Sequence, residues 1–323
     1  MAHTRKDYLL DAVNSVLTQS VDQSFYEIIV VKAFKDELIE NSLRENCVKF
    51  IDTSEQPLGA KVLVGVENCR GEFIAFLEDD DLFGYNKIET LIEIFMNEKV
   101  GYYHNGFENI DSKGRSLKRS RNIPSPSRIE VEPQKNNLKI MRNLIKSRAF
   151  FNLSCITVRR KLIYPYLWAL RELQVAVDTF IFYVSLDSNY INVIDMEKHT
   201  KYRIHPGNFS LARENHISQF KSKKIPFFLD DMKGYVVISE IVKRKELKDC
   251  LSCRLMLPAY ALYILDSNSA PNLKTDFSYF IKCLINYQSI ELLLLFGDFL
   301  LSKFFRRMSI SLFLVVEKIR ISF

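Results

Sequence analysis

The strongest constraint on this chain is an alternation in its first hundred residues. Short, nearly uninterrupted apolar runs, Tyr26–Val31 and Glu72–Leu77, are separated by stretches whose apolar residues recur at helical spacing. A run that is apolar on both sides of its pleat suits a strand covered on both faces, as in a parallel sheet sandwiched by helices. Helical patterns at Asp7–Gln19, Lys35–Asn46, Gly59–Asn68 and Asn86–Glu98 alternate with strand patterns at Tyr26–Val31, Val48–Ile51, Glu72–Leu77 and Tyr102–Asn109. That order predicts crossover connections and an α/β fold built on a Rossmann-like, doubly wound, mostly parallel sheet. Further along, Cys155–Arg159 is a strand candidate and Leu162–Leu186 an apolar-periodic stretch. From Pro226 the pattern turns to long amphipathic helices, so the expected division is an α/β domain over 1–225 and a helical region over 226–323.

With 47% hydrophobic and 26% charged residues among 323, the chain can bury a core, which excludes wholesale disorder. The net charge of +6 is unevenly placed: residues 113–148 hold eleven Lys/Arg against Glu130 and Glu132, so that window carries +9 and the remainder −3. A basic insertion without a recognition motif argues against a nucleic-acid partner and toward a phosphate-rich acceptor or an anionic membrane surface. Six scattered cysteines do not form a disulfide scaffold and predict a reducing compartment. Cys250-Leu251-Ser252-Cys253 lacks a second pair or a nearby His, so its cysteines are expected to be structural. The opening residues lack a secretory pattern, and apolar runs such as Met308–Val316 fall short of the roughly 20 residues a span needs. The expectation is a cytoplasmic protein, peripheral at the inner membrane face through Ser289–Phe323, with Phe304, Phe305, Leu312 and Phe313 in the headgroup boundary.

Three constellations could carry chemistry. Glu78-Asp79-Asp80-Asp81 follows a buried strand pattern, which puts four carboxylates at the carboxyl end of a sheet, where open α/β folds bind ligands. Crowded carboxylates repel unless a cation joins them, and Mg²⁺ or Mn²⁺ prefers oxygen ligands; acids at a helix start account for the run equally well. Tyr202-Arg203-Ile204-His205-Pro206-Gly207-Asn208-Phe209-Ser210 gathers a guanidinium, an imidazole and an amide in one loop, a set able to hold phosphate oxygens or a metal. Asp178, between Val177 and Thr179, is an acid in an apolar setting that fits either a proton acceptor or an ordinary helix cap. Neither a glycine-rich phosphate loop nor a Gly-x-Ser-x-Gly elbow is present.

In sequence order these pieces resemble a family 2 glycosyltransferase of the nucleotide-sugar-dependent type A fold. The likeness runs from Arg5 to about Ser210 and rests on Arg5–Gln19, Tyr26–Val31, Leu58–Asp81 and Tyr202–Ser210. It implies that residues 1–225 are the catalytic domain and that Asp80 binds a divalent metal, Mn²⁺ or Mg²⁺, bridging the diphosphate of a UDP- or GDP-sugar donor. Glu78, Asp79 and Asp81 would lie near the ribose and the metal. Lys61 and Arg203 would complete the donor site, and His205 would be a further metal ligand. Asp178 falls where the family keeps the catalytic base of an inverting reaction, in a pair usually written Glu-Asp; here Val177 replaces the first acid. The acceptor would be a glycan, a lipid-linked molecule or a protein. The sequence departs from the family in two places. The family's first strand is missing before Arg5, which suggests either a true start about 5–10 residues upstream or a damaged copy. Lys32-Ala33-Phe34 stands where the family often has acids that read the base. The alternative implied by these departures is a non-catalytic relative that binds nucleotide sugar or a partner.

Overall fold

The computed structural model describes residues 6–117, 128–133, 138–208, 217–270, 277–287, 290–305 and 308–314. Helix α1 (Leu9–Leu17) buries Leu9, Ala12, Val13 and Val16 as a single stripe, the face set by its helical spacing. It is followed by β1 (Ile29–Lys32), α2 (Glu37–Glu45) and β2 (Lys49–Asp52). Asp36 opens α2 by accepting a hydrogen bond from the Ile39 amide, satisfying a donor the helix itself leaves unpaired. β1 and β2 pair in parallel and form a sheet of two strands. Leu9, Val13, Val30, Ile39, Leu43 and Val48 form the core beneath it.

The chain continues through α3 (Leu58–Asn68), β3 (Phe73–Ala75), β4 (Leu82–Phe83), α4 (Lys87–Phe95), β5 (Val100–Ile110), β6 (Arg128–Val131), α5 (Leu138–Lys146), β7 (Ile156–Arg159), α6 (Arg160–Ile163), α7 (Leu167–Leu170), α8 (Val177–Asp187) and β8 (Ile191–Arg203). Six of these strands make a second sheet in the order β3-β7-β5-β8-β4, with β6 also beside β8. The mixed α/β class and the helical carboxyl-terminal region agree with expectation. Parallel pairing holds for β1–β2 and for the long β5–β8 pair, whereas β3–β7, β5–β7, β4–β8 and β6–β8 run antiparallel. A short apolar run has the same side-chain period in either direction, so its sequence does not carry strand polarity.

Two local departures have plain causes. The apolar stretch 162–186 is not one helix: Pro165 sits in a 3₁₀ turn, and separate short helices lead to α8, because proline cannot donate to an extended helical ladder. The basic window is not simply an insertion, since β6 pairs with β8 and Arg128 reaches Asp195 at 2.9 Å. Lys118, Arg119, Arg121 and Lys135 lie outside the described residues. Gly59 in α3 is required by close packing, because a Cβ there would come within 2.0 Å of the Leu170 carbonyl oxygen.

Two compact units emerge, one of Met1–Asn136 with Leu144–His205 and the other of Asn137–Asn143 with Pro206–Phe323. The change of character at Pro226 falls inside α9 (Ile217–Ile241), not at a boundary. The proline removes one amide donor, but Phe220 and Phe228 on either side of it are buried and keep the helix continuous. α10 (Lys245–Leu265), α11 (Phe277–Tyr287) and α12 (Ile290–Ser302) follow. Cys253 of α10 and Cys283 of α11 form a disulfide with Cα atoms 5.6 Å apart, a pairing at odds with the expected reducing compartment. Helix packing brings the two together across 30 residues, a proximity that linear spacing does not encode. Among the described residues no helix is long and apolar enough to cross a membrane. Phe304, Phe305 and Leu312 are exposed, whereas Phe313 is buried against Phe220 and Phe228, contrary to its expected headgroup position.

Candidate active site

The four acids form the turn between β3 and β4, closed by the Asp81 amide donating to the Glu78 carbonyl at 3.4 Å. Asp81 is fully buried, and its carboxylate accepts from the Arg203 amide at 2.9 Å and from Asn152 Nδ2 at 3.0 Å. Burial, aided by the neighbouring Asp80 charge, pushes Asp81 up to about 7 despite these hydrogen bonds. Glu78 is held well above the usual carboxylate range by loss of water and then by the charges of Asp80, Asp81, Asp178 and Asp79. Its amide donates to Ser154 Oγ at 3.0 Å. Four carboxylates this close cannot all ionise cheaply, and a nearby cation would relieve the repulsion.

The end of β8 closes over this turn. His205 Nε2 lies 3.1 Å from Asp80 Oδ2, and both side chains are more than nine-tenths buried. The Tyr8 ring sits 4.9 Å from the His205 ring, and the Arg203 guanidinium lies 4.4 Å from the Tyr8 ring centroid. Arg203, expected to hold phosphate, is 1% exposed. Its Nε donates to the Asp80 carbonyl at 2.7 Å, Nη1 to the Ser112 carbonyl at 3.1 Å and Nη2 to Asp11 at 3.2 Å. The residue therefore positions the acidic turn.

Lys61 is buried in α3 and donates to the Gln56 carbonyl at 2.8 Å. Burial lowers its basicity while the charge of Asp79 opposes that shift, which places a cation beside the acids. Asp178, half-buried, is the second residue of α8 and accepts from the Thr179 amide at 2.7 Å. Its charge acts on Glu78, so it belongs to the same electrostatic site. Ala176, just before the helix, has φ 62°, a left-handed conformation that costs a non-glycine residue roughly 1–2 kcal/mol. The fold thus brings together Glu78, Asp79, Asp80, Asp81, Asp178, Arg203, His205 and Lys61. Among the described residues no three His, Cys, Asp or Glu side chains form a ready-made metal set. Asp80 and His205 offer two donors, which suits an ion completed by substrate phosphates.

Five residues escaped the sequence reading: Tyr8, Asp11, Lys87, Asn152 and Ser154. Only Asn152 carried a local signal, as a turn former at φ 69° that caps the 3₁₀ turn before β7. Lys87 is fully buried, donating to the Ser154 carbonyl at 2.6 Å and to Thr200 Oγ1 at 3.1 Å, with its amine 4.0 Å from the Phe83 ring centroid. Burial pulls it from the ordinary lysine value of 10.5 down to about 7. Between those values the unfolded chain binds the extra proton, so this group makes stability rise with pH from about 7 toward 10.5. Urea denaturation at pH 7 and pH 9 should show that rise in the parent protein and a flatter profile in Lys87→Met. Equal slopes would refute the assignment.

Residues 1–167, just over half of the chain, match the model of glycosyl transferase family 2. The chain belongs to this family. An uncharacterized glycosyltransferase of Rickettsia bellii (strain RML369-C) is 30% identical over 121 residues, covering 36% of this chain and 17% of that protein. One from Rickettsia typhi (strain ATCC VR-144 / Wilmington) is 33% identical over 116 residues, covering 34% of this chain and 36% of that protein. The match to this family 2 chain thus spans well under half the length of either relative. Among solved structures, S. aureus TarS 1–349 in complex with UDP superposes with a TM-score of 0.55 at 14% identity, covering 89% of this chain and 78% of that one. Mannosyltransferase PcManGT from Pyrobaculum calidifontis, in complex with GDP-Man and Mn²⁺, gives a TM-score of 0.53 at 10% identity, covering 99% and 85%. At such identities the likeness establishes the type A fold of this family 2 chain.

Proposed function

We propose that this family 2 chain transfers a sugar from a nucleotide-diphosphate donor to a hydroxyl acceptor with inversion at the anomeric carbon. The observation that carries the reading is the placement of the acids: the turn Glu78–Asp81 follows the carboxyl end of β3, and the half-buried Asp178, in the first turn of α8, lies near enough for its charge to help raise Glu78. Asp178 takes the acceptor's hydroxyl proton, the freed oxygen bonds to the anomeric carbon, and the bond to the donor's diphosphate breaks on the opposite face. Lys61, close enough to Asp79 to feel its charge, would serve the donor's phosphates, and Arg203 holds the turn in place. Asp80 and His205 would hold a Mn²⁺ or Mg²⁺ ion, which supplies charge neutralisation for the leaving diphosphate.

The test is release of nucleoside diphosphate from UDP- and GDP-sugars in the presence of Mn²⁺. Asp80→Ala or a chelator should abolish most of it. Release that persists in full after either treatment would overturn the metal assignment. A second reading, a nucleotide-sugar-binding protein without turnover, draws on Val177 in place of the first acid of the Glu-Asp pair. Thermal stabilisation by nucleoside diphosphate and Mn²⁺ without release on any acceptor class would favour it.

The proposed acceptor side includes an anionic membrane. Phe304, Phe305 and Met308 are 81%, 62% and 59% exposed, and Lys303 lies next to them in sequence. Burying a Phe side chain contributes about 1.5–3 kcal/mol, so the double change Phe304→Ser and Phe305→Ser should weaken sedimentation with phosphatidylserine vesicles by at least about tenfold. Unchanged sedimentation would remove the membrane from the proposal.

A further inference from the structure

We propose that Phe107, Phe151 and Tyr202 form the floor of an acceptor subsite that takes a sugar ring of a glycan, laid with its C–H face on the aromatic rings. The inference rests on the transferase reading above and names the class of its acceptor. The rings come from β5, from the segment ahead of β7 and from the end of β8, and each touches the other two. Phe107 lies 5.6 Å from Phe151 and 5.8 Å from Tyr202, and Phe151 lies 5.7 Å from Tyr202, at interplanar angles of 48°, 69° and 71°. Tilted and edge-to-face contacts of this kind fix each ring against the others. All three are half-buried, whereas the neighbouring aromatic cluster of Tyr102, Phe182 and Tyr183 is fully buried.

The trio adjoins the residues that hold the acidic turn. In the parallel register of β5 and β8, Phe107 stands beside Thr200 and Asn109 beside Tyr202, so these four side chains project from one face of the sheet. On that face Thr200 Oγ1 donates to the Ser154 carbonyl at 3.0 Å. Phe151 is followed directly by Asn152, whose side chain donates to Asp81, and Tyr202 by Arg203, whose amide donates to the same carboxylate. In the other direction the Phe150 ring lies 5.9 Å from that of Phe182. Phe182 is one turn along α8 from Asp178 and shares its helix face. The segment that carries Phe151 therefore links the acidic turn to the face of α8 bearing Asp178, the two groups that an acceptor hydroxyl must reach together.

The groups around the rings select a sugar over an acyl chain. The negative face of an aromatic ring attracts polarised C–H bonds, and a sugar ring presents such bonds on its faces while its hydroxyls ring the edge and need polar partners. Two are at hand. The exposed Arg148 guanidinium lies 5.6 Å from the Phe151 centroid, and Asn109 adds a half-buried amide whose oxygen has no hydrogen-bond partner among the described residues. An acyl chain laid on the rings would leave both polar groups against hydrocarbon, which is costly. An apolar floor with a few placed polar groups is the ordinary make-up of a small-molecule subsite.

The test is saturation-transfer NMR on the full chain with methyl and hexyl glycosides of glucose, galactose and N-acetylglucosamine, alone and with UDP or GDP plus Mn²⁺. Ring C–H protons of at least one sugar should receive saturation. Phe107→Leu and Phe151→Leu keep apolar volume but remove the ring face, and should weaken that binding about three- to tenfold; Phe107→Tyr, which keeps the ring, should bind as the parent does. Saturation confined to hexyl protons, equal affinity in the leucine variants, an equal loss in Phe107→Tyr, or no glycoside bound by the parent overturns the proposal. Nucleoside diphosphate release is read separately. Ring-dependent glycoside binding without release would leave the subsite standing and remove the transfer reaction, whereas release without ring-dependent binding would do the reverse.

Discussion

Asp178→Asn is expected to lower turnover by about 10²–10⁴-fold while leaving nucleotide binding in place. Asparagine keeps the shape and still accepts the Thr179 amide that now bonds to Asp178 Oδ1, so α8 should fold as before. What it loses is the ability to take a proton. Because the Asp178 charge contributes to the raised Glu78 carboxyl, its removal also relieves that group toward the ordinary carboxylate range. Donor affinity, read from thermal stabilisation by nucleoside diphosphate and Mn²⁺, should hold or improve. Acceptor turnover at the parent rate would remove Asp178 from the mechanism. A parallel loss of nucleotide binding would reassign it to the donor site.

Arg203→Ala should be the most damaging single change to the fold of the site. The guanidinium is the donor for the Asp80 and Ser112 carbonyls and an ion-pair partner for Asp11. Each buried carbonyl left without its donor costs about 1–3 kcal/mol, and loss of the side chain opens a void between the turn and Tyr8. The expected result is a loss of several kcal/mol in urea denaturation and, under native conditions, weaker nucleotide binding. Arg203→Lys keeps the charge but not the three-pronged donor set, and should recover only a part of the stability. If Arg203→Ala were as stable as the parent, the positioning role would be wrong.

Much of the fold was legible in the sequence because local signals and tertiary environment agree there. α1, α2 and α3 fall within one or two residues of their periodic patterns, the apolar run Glu72–Leu77 contains β3, and Tyr26–Val31 covers β1 up to its last residue, Lys32. Strand direction was not legible, because β7 reads as an apolar run whichever way it lies. The division at Pro226 misled because a long packed helix tolerates one missing donor. In the site, the acids and the His205 loop stood out as dense polar clusters, but the contact between Asp80 and His205 spans 125 residues and exists only through the fold. Asn152 and Ser154 are single polar residues among apolar neighbours, and Lys87 looks like an ordinary polar residue at a helix start. Their importance comes from burial, which sequence spacing does not report.

The bridge between Cys253 and Cys283 lies wholly within the helical unit, while the acidic turn, Asp178 and His205 belong to the other. Mild reductant thus becomes a selective probe: it severs a covalent tie in one unit while cutting no bond in the other. Comparing nucleotide turnover and vesicle sedimentation before and after reduction separates what the helices contribute from what the chemistry requires, without changing a single residue.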